Sequence, residues 1–148
     1  MQVAPVRILA VDDFEPWRHS VRSMLKRQAE LRLVGEVADG MEAVQKAEEL
    51  QPDLVLLDIG LPKLNGIEAA RRIRQVVPDT KIIFLTLNRD ADLLQAALDS
   101  SANGYVLKAN AASELRPAIE AVLQGQQFVS SGLVDRAASS RRFEIVLD

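Results

Sequence analysis

The chain has 148 residues and a formal net charge of −3, with 48% hydrophobic and 26% charged residues. This composition predicts one folded, soluble domain with a short extension and excludes wholesale disorder. The acidic balance disfavours a nucleic-acid interface, and the absence of cysteine excludes disulfides and thiolate metal sites. Because neither a signal peptide nor a membrane-spanning apolar run is recognisable, we expect a cytoplasmic protein that does not contact membranes.

Short apolar runs alternate along the chain with segments of helical spacing. The predicted strands are Val6–Val11, Leu31–Ala38, Leu54–Asp58, Lys81–Thr86 and Tyr105–Leu107. The predicted helices are Phe14–Gln28, Gly40–Leu50, Asn65–Val77, Asp90–Ser101 and Ser113–Gln124, the last with Ser113 as its N-cap. Five such βα units predict a three-layer α/β sandwich with a parallel sheet. The pattern leaves the strand order open.

The stretch that indicates a site is Leu54–Leu57, four consecutive aliphatic residues that lead directly into Asp58. A continuous apolar run of this length is typical of a strand buried on both faces of a parallel sheet. A buried helix is the alternative, but Pro52 and Gly60 leave little room for one. Asp58 would then lie at the carboxyl edge of the sheet, where open α/β sheets bind their ligands.

Other strands deliver polar side chains to the same edge: Asp12 and Asp13 after the first, Thr86 in the fourth and Lys108 after the fifth. Adjacent carboxylates repel one another and favour a bound cation, and oxygen ligands without His or Cys favour Mg²⁺, with Mn²⁺ as an alternative. A carboxylate can also accept a phosphoryl group, whose charge a hydroxyl and a lysine would stabilise. Each residue alone could instead cap a helix, satisfy a turn or lie on the surface, but their joint position favours a site.

These motifs resemble the receiver domain of bacterial two-component response regulators over residues 6 to about 127. The matching stretches are residues 8–13, residues 56–62 with Asn65-Gly66, residues 84–86 and residues 104–108. The resemblance implies a flavodoxin-like sandwich of five helices around a five-stranded sheet of order 2-1-3-4-5. Asp58 would be the phosphoacceptor, and Mg²⁺ would be held by Asp12, Asp13 (directly), Asp58 and the backbone carbonyl of Gly60.

The resemblance also implies the parts of a conformational switch. Thr86 would bond the phosphoryl oxygens of the active state, Lys108 would pair with the phosphoryl group, and the ring of Tyr105 would swing inward on activation. Two residues depart from the broad family pattern: Ala109 stands where many receivers have proline, and Leu87 where a small residue is common. We expect Leu87 to screen the phosphoryl group from water.

Residues 93–108 and 119–130 are similar to receivers of the NarL/LuxR-type transcription regulators. This similarity implies a sensor histidine kinase as phosphoryl donor, a homodimer on phosphorylation, and DNA contact only through an output domain. We expect residues 1–128 to form the receiver and residues 129–148 to be a linker or C-terminal tail, with no output domain. The chain would not be a dedicated enzyme but would catalyse its own aspartyl phosphorylation and dephosphorylation.

Three alternatives to a transcription regulator stay open. A stand-alone receiver would act by protein contact or phosphorelay. A haloacid dehalogenase-like phosphohydrolase would need a second aspartate two positions after Asp58, where this chain has Gly60. A flavodoxin-like FMN carrier would need a Ser/Thr/Gly-rich phosphate loop after the first strand.

We further expect His19 to be a solvated surface residue, Trp17 to serve packing or an interface, and Arg71, Arg72 and Arg74 to lie on a solvated helix face.

Overall fold

The computed structural model describes residues 4–87, 91–100 and 102–131, and all structural statements below concern these residues. The strands are β1 (Val6–Val11), β2 (Leu31–Val37), β3 (Leu54–Leu57), β4 (Lys81–Thr86), β5 (Gly104–Leu107) and β6 (Phe128–Val129). The helices are α1 (Glu15–Lys26), α2 (Gly40–Leu50), α3 (Gly66–Val76), α4 (Ala91–Asp99) and α5 (Ala111–Leu123), with a single 3-10 turn at Lys108–Asn110.

The strands form one parallel sheet of order β2-β1-β3-β4-β5-β6. The α/β sandwich and the order 2-1-3-4-5 that the resemblance implied are therefore confirmed for the first five strands. The order reverses between β1 and β3, so the carboxyl ends of these two strands border the crevice in which such sheets bind ligands.

The core lies on both faces of the sheet because successive residues of a buried strand point to opposite sides. In β3, Leu54 and Leu56 pack toward α1 and α5, while Val55 and Leu57 pack toward α2, α3 and α4. All four are essentially inaccessible to solvent. This two-sided burial explains why β3 is a continuous aliphatic run instead of an alternating one.

Short polar side chains determine where α2 and α3 begin. Asp39 accepts a hydrogen bond from the backbone N–H of Glu42 at 2.8 Å, and Asn65 accepts one from the N–H of Glu68 at 3.0 Å. Both bonds satisfy a backbone donor that the first helical turn leaves without a partner. The two loops that lead into these helices are thereby held in place.

The predicted start of α5 is wrong by two residues. The 3-10 turn that follows β5 leads the chain into the helix at Ala111, with Asn110 at the N-cap position. Ser113 therefore lies inside the first turn, where its hydroxyl donates to the Asn110 carbonyl at 3.2 Å. Of the predicted fourth helix, Asp90 and Ser101 lie outside the described residues.

The sixth strand was not predicted. Phe128 and Val129 pair with Gly104 and Tyr105 of β5, so the sheet continues into the stretch where a linker was expected to begin. Ser130 is fully buried; its hydroxyl accepts from the Leu107 N–H at 2.9 Å and donates to the Glu114 carboxylate. The division at residue 128 stays a prediction, and residues 132–148 lie outside the described part of the chain.

Two surface predictions have different outcomes. His19, Arg71 and Arg72 are exposed, as expected. Arg74 is not solvated along its whole length: it is partly buried and donates to the Asn103 side-chain oxygen at 2.9 Å. Burial also lowers the pKa of its guanidinium.

Within the described residues, no helix has the length and hydropathy needed to cross a membrane.

Candidate functional site

The register of the sheet brings Asp12 and Asp58 together. Val11 lies opposite Leu57, and each strand is followed at once by its aspartate. The backbone N–H of Asp58 donates to the Val11 carbonyl at 3.0 Å, and the N–H of Asp12 donates to the Val37 carbonyl at 3.1 Å. The backbone that carries both carboxylates is therefore held in place by the hydrogen bonds of the sheet.

The loop after Asp58 is anchored by two close backbone approaches. Gly66 donates its N–H to the Ile59 carbonyl at 2.7 Å, and a Cβ at this position would overlap the Asp58 carbonyl oxygen. A Cβ on Gly40 would likewise overlap the Leu64 carbonyl oxygen. The loop folds back so tightly that only glycine fits at positions 40 and 66. Gly60, in the same loop, is exposed and lies beside the carboxylates.

Three carboxylates converge at this edge. Asp12, Asp13 and Asp58 each offer an oxygen that lies within 4.8 Å of the other two. Asp12 is buried, Asp58 is partly buried and Asp13 is exposed, so the cluster is open to solvent on one side. The structure thus confirms the convergence that strand ends predicted, and the residues present an acidic group that could hold a metal ion.

Lys108 reaches into the same cluster from the end of β5. Its Nζ lies 2.5 Å from Oδ2 of Asp12 and 3.8 Å from Oδ1 of Asp58. The side chains of these three residues are only 8%, 4% and 13% exposed. The other oxygen of Asp12, Oδ1, accepts the backbone N–H of Phe14 at 2.9 Å, which ties the carboxylate to the start of α1.

Burial raises the pKa of the Asp58 carboxyl above its ordinary value. The nearby Lys108 ammonium opposes this rise, Asp12 adds to it, the N–H of Ile59 opposes it, and Asp13 adds to it. The Ile59 N–H donates to Oδ1 of Asp58 at 2.9 Å. The attraction of one lysine therefore does not cancel the rise in the Asp58 pKa that burial and the two other carboxylates cause. The cluster lacks positive charge. An oxygen-only donor set with this charge deficit fits a hard divalent cation.

Thr86 lies at the end of β4, and Tyr105 lies on the adjacent strand β5. Thr86 is buried and lies opposite Leu107, the residue before Lys108. Tyr105 is fully buried, and its ring centroid lies 6.0 Å from that of Phe84. The tyrosine ring is thus already inside the core in this structure, next to the strand that ends in Thr86.

The contact between Trp17 and Lys108 was not predicted. The Lys108 Nζ lies 5.2 Å from the centroid of the Trp17 ring. The sequence signal was present: Trp17 falls in the first turns of α1, and helical side chains lean toward the N-terminus. That direction points the indole back over the strand ends.

Trp17 also lines a groove of about 310 Å³ beside the acidic cluster, together with Phe14, Leu87 and Lys108. Leu87 is 76% exposed and Phe14 is 61% exposed, so this edge carries apolar surface next to its charges. Leu87 thus borders the site, as its position in the sequence implied. Whether it screens a phosphoryl group stays a prediction.

Residues 8–120 match the family model of the response regulator receiver domain. The chain belongs to this family. The receiver is 36% identical over 115 residues to response regulator protein VraR of Staphylococcus saprophyticus, a match that covers 78% of this chain and 55% of that protein. It is 34% identical over 137 residues to transcriptional regulatory protein LiaR of Bacillus subtilis, covering 93% of this chain and 65% of that protein.

The fold of the receiver is shared with a solved structure of a LuxR-family two-component response regulator from an Aurantimonas species. The TM-score is 0.88 at 35% identity, and the match covers 93% of this chain and 99% of that one. The predicted kinship with receivers of the NarL/LuxR type is therefore confirmed. The chain spans about half to two thirds of the length of the curated relatives above.

Proposed function

We propose that this receiver is a phosphorylation-dependent switch of a two-component system and that Asp58 is its phosphoacceptor. The observation that carries the proposal is the single cluster in which three carboxylate oxygens lie within 4.8 Å of one another and Lys108 lies 3.8 Å from Asp58. An oxygen nucleophile, a metal-binding pair of acids and a fixed ammonium are the parts that phosphoryl transfer needs. The haloacid dehalogenase-like and FMN-carrier alternatives have no comparable observation in their favour.

In this proposal Asp12, Asp13, Asp58 and the Gly60 carbonyl would hold Mg²⁺, which would supply positive charge beside the phosphoryl oxygens. Asp12 also keeps Lys108 in the site, because one of its oxygens contacts the ammonium while the other is fixed by a backbone N–H. The hydroxyl of Thr86 then bonds the phosphoryl group from the neighbouring strand.

The phosphoryl donor is a sensor histidine kinase in its phosphohistidine form. A carboxylate oxygen of Asp58 attacks phosphorus, a P–O bond forms, the P–N bond breaks, and the leaving imidazole retains the bonding electron pair. The contacts to the Ile59 N–H and to Lys108 are both made by Oδ1. We therefore assign the attack to the other carboxylate oxygen, Oδ2.

The output is a shift between two conformations of the face that carries α4, β5 and α5. Thr86 and Tyr105 connect this face to the phosphoryl group, since both lie on strands whose ends border the site. Such couplings are typically about 1–3 kcal/mol, so phosphorylation changes a population and is not an absolute switch. We propose that this shift promotes dimerisation and regulates transcription through an output domain, the role that the name of LiaR gives to that relative.

Phosphate incorporation tests the assignment. Incubation with acetyl phosphate and Mg²⁺ should add one phosphoryl group to the wild type, which intact-mass measurement detects, and peptide mapping should place it on Asp58. Asp58→Asn should lose the label, whereas the matched exposed carboxylate variant Asp79→Asn should retain it. Label on Asp58→Asn at the wild-type level would refute the proposal. Beryllium fluoride with Mg²⁺ should raise the dimer fraction of wild type but not of Asp58→Asn in sedimentation.

A further inference from the structure

The side chain of Lys108 is held between two different surfaces. On one side its ammonium contacts Asp12, and on the other it lies over the indole of Trp17 at 5.2 Å from the ring centroid. Trp17 is half-buried and packs against the core on the α1 face, so its ring is not free to turn away. These two contacts restrict the flexible four-carbon side chain of Lys108 to the space between Asp12 and Trp17.

This confinement matters because the reacting geometry depends on where the ammonium is. Lysine carries a compact charge on a stem of many rotamers, and each rotamer that leaves the site removes the charge from the phosphoryl oxygens. An aromatic face attracts a cation and also excludes water from it. The present distance of 3.8 Å to Asp58 leaves Lys108 only a short movement from a phosphoryl group on that residue.

We propose that Trp17 is a positioning residue that keeps Lys108 directed toward Asp58 and so speeds phosphorylation. The proposal rests on the function proposed above, because it assumes that Lys108 acts on the phosphoryl group. It gives Trp17 a role beyond packing, and it explains why a large, partly exposed aromatic residue borders the acidic cluster.

A double-mutant cycle separates this role from a structural one. Trp17→Leu, which retains an apolar side chain, should slow Asp58 phosphorylation by acetyl phosphate about 3- to 10-fold, the effect of losing one partly desolvated cation-π contact. The same substitution should change the rate less than about 2-fold in a Lys108→Ala background, because the group that Trp17 positions is then absent. Trp17→Phe retains a weaker aromatic face and should fall between wild type and Trp17→Leu.

Phe128→Leu is the matched control. It removes another partly buried aromatic side chain that packs against the same core cluster as Trp17, but it does not remove the ring over Lys108, so its rate should stay near that of wild type. Equal slowing by Trp17→Leu with and without Lys108, or no slowing by it in the wild-type background, would overturn the proposal. Should Trp17→Leu fail to fold by circular dichroism, the Trp17→Phe cycle decides in the same way.

Tryptophan emission tests the contact without any phosphorylation. Trp17 is the only tryptophan of the chain, so its fluorescence reports on its own surroundings. Lys108→Ala should change the emission of the metal-free protein, whereas Lys46→Ala, which removes an ammonium from α2, should leave it unchanged. If the wild type took up no phosphate, the proposed function would fail, yet this measurement would still show whether Trp17 holds Lys108. Identical emission in wild type and Lys108→Ala would refute the contact.

Discussion

Replacing Asp58 with asparagine should make the metal-free protein more stable. The Asp12 and Asp58 oxygens lie within 4.8 Å of each other, which corresponds to a repulsion of at least about 3.5 kcal/mol at an effective dielectric constant of about 20. Lys108 at 3.8 Å returns an attraction of about 4.4 kcal/mol on the same scale. Because these contributions nearly cancel, burial and the Asp13 carboxylate decide the balance, and both raise the pKa of Asp58.

Asparagine removes the charge and retains the geometry. Its side-chain oxygen can still accept the Ile59 N–H, and Lys108 retains its ion pair with Asp12. Since one side of the cluster is open to solvent, screening reduces the benefit, and we expect a gain of about 1–2 kcal/mol in the free energy of unfolding at pH 7. Urea unfolding in the presence of EDTA measures this difference.

The pH dependence follows from the raised pKa. A carboxyl whose pKa is higher in the folded state favours folding when protonated, so its contribution is complete below the unfolded value of about 3.9 and is lost as the pH rises through the folded value. The advantage of Asp58→Asn should therefore be largest near neutral pH and should shrink as the pH falls toward 4. Saturating Mg²⁺ should stabilise wild type more than the variant. A variant less stable than wild type at pH 7 without metal, or an advantage that grows toward acid, would refute this reasoning.

Three further predictions concern the supports of the site. Ser130→Ala leaves a buried backbone N–H of β5 without its acceptor and should lower the free energy of unfolding by about 1–3 kcal/mol, whereas the exposed Ser131→Ala should change it by less than about 0.5 kcal/mol in the same urea titration. Gly66→Ala forces a Cβ into a backbone carbonyl and should lower the melting temperature far more than Gly60→Ala, where nothing lies within 4 Å of the new atom; equal losses would contradict the packing. Leu87→Ala should shorten the lifetime of the aspartyl-phosphate by opening the site to water, as followed by loss of label after the donor is removed; an equal or longer lifetime would contradict the screening role.

The residues of the acidic cluster could be predicted because their convergence depends only on local pattern and one rule of topology. Strand-length apolar runs that alternate with helical spacing require a parallel sheet, and the carboxyl ends of parallel strands share an edge. Asp12, Asp58 and Lys108 each follow such a run directly and Asp13 follows Asp12, so their positions along the chain implied their proximity. The family resemblance then supplied the strand order and the expected roles.

Other features were decided only by the tertiary structure. The apolar pair Phe128–Val129 becomes a strand because the backbone N–H and C=O groups along the edge of β5 can pair with it. A local pattern of two residues cannot predict such a strand. Ser130 looks like a linker residue until the fold buries it against Glu114. Arg74 lies on a helix face of polar residues, yet it is partly buried and donates to the side chain of Asn103 in the loop before β5.

Trp17 shows the same limit within the site itself. The sequence determined that a tryptophan stands on α1 shortly after the acidic pair, and helical geometry determined that its side chain leans toward the strand ends. It did not determine that Lys108, ninety-one positions later, lies over the ring. Periodicity specifies which face of an element is buried, because that depends on neighbours along the chain. Which side chains meet across elements depends on rotamers and packing that only the assembled fold defines.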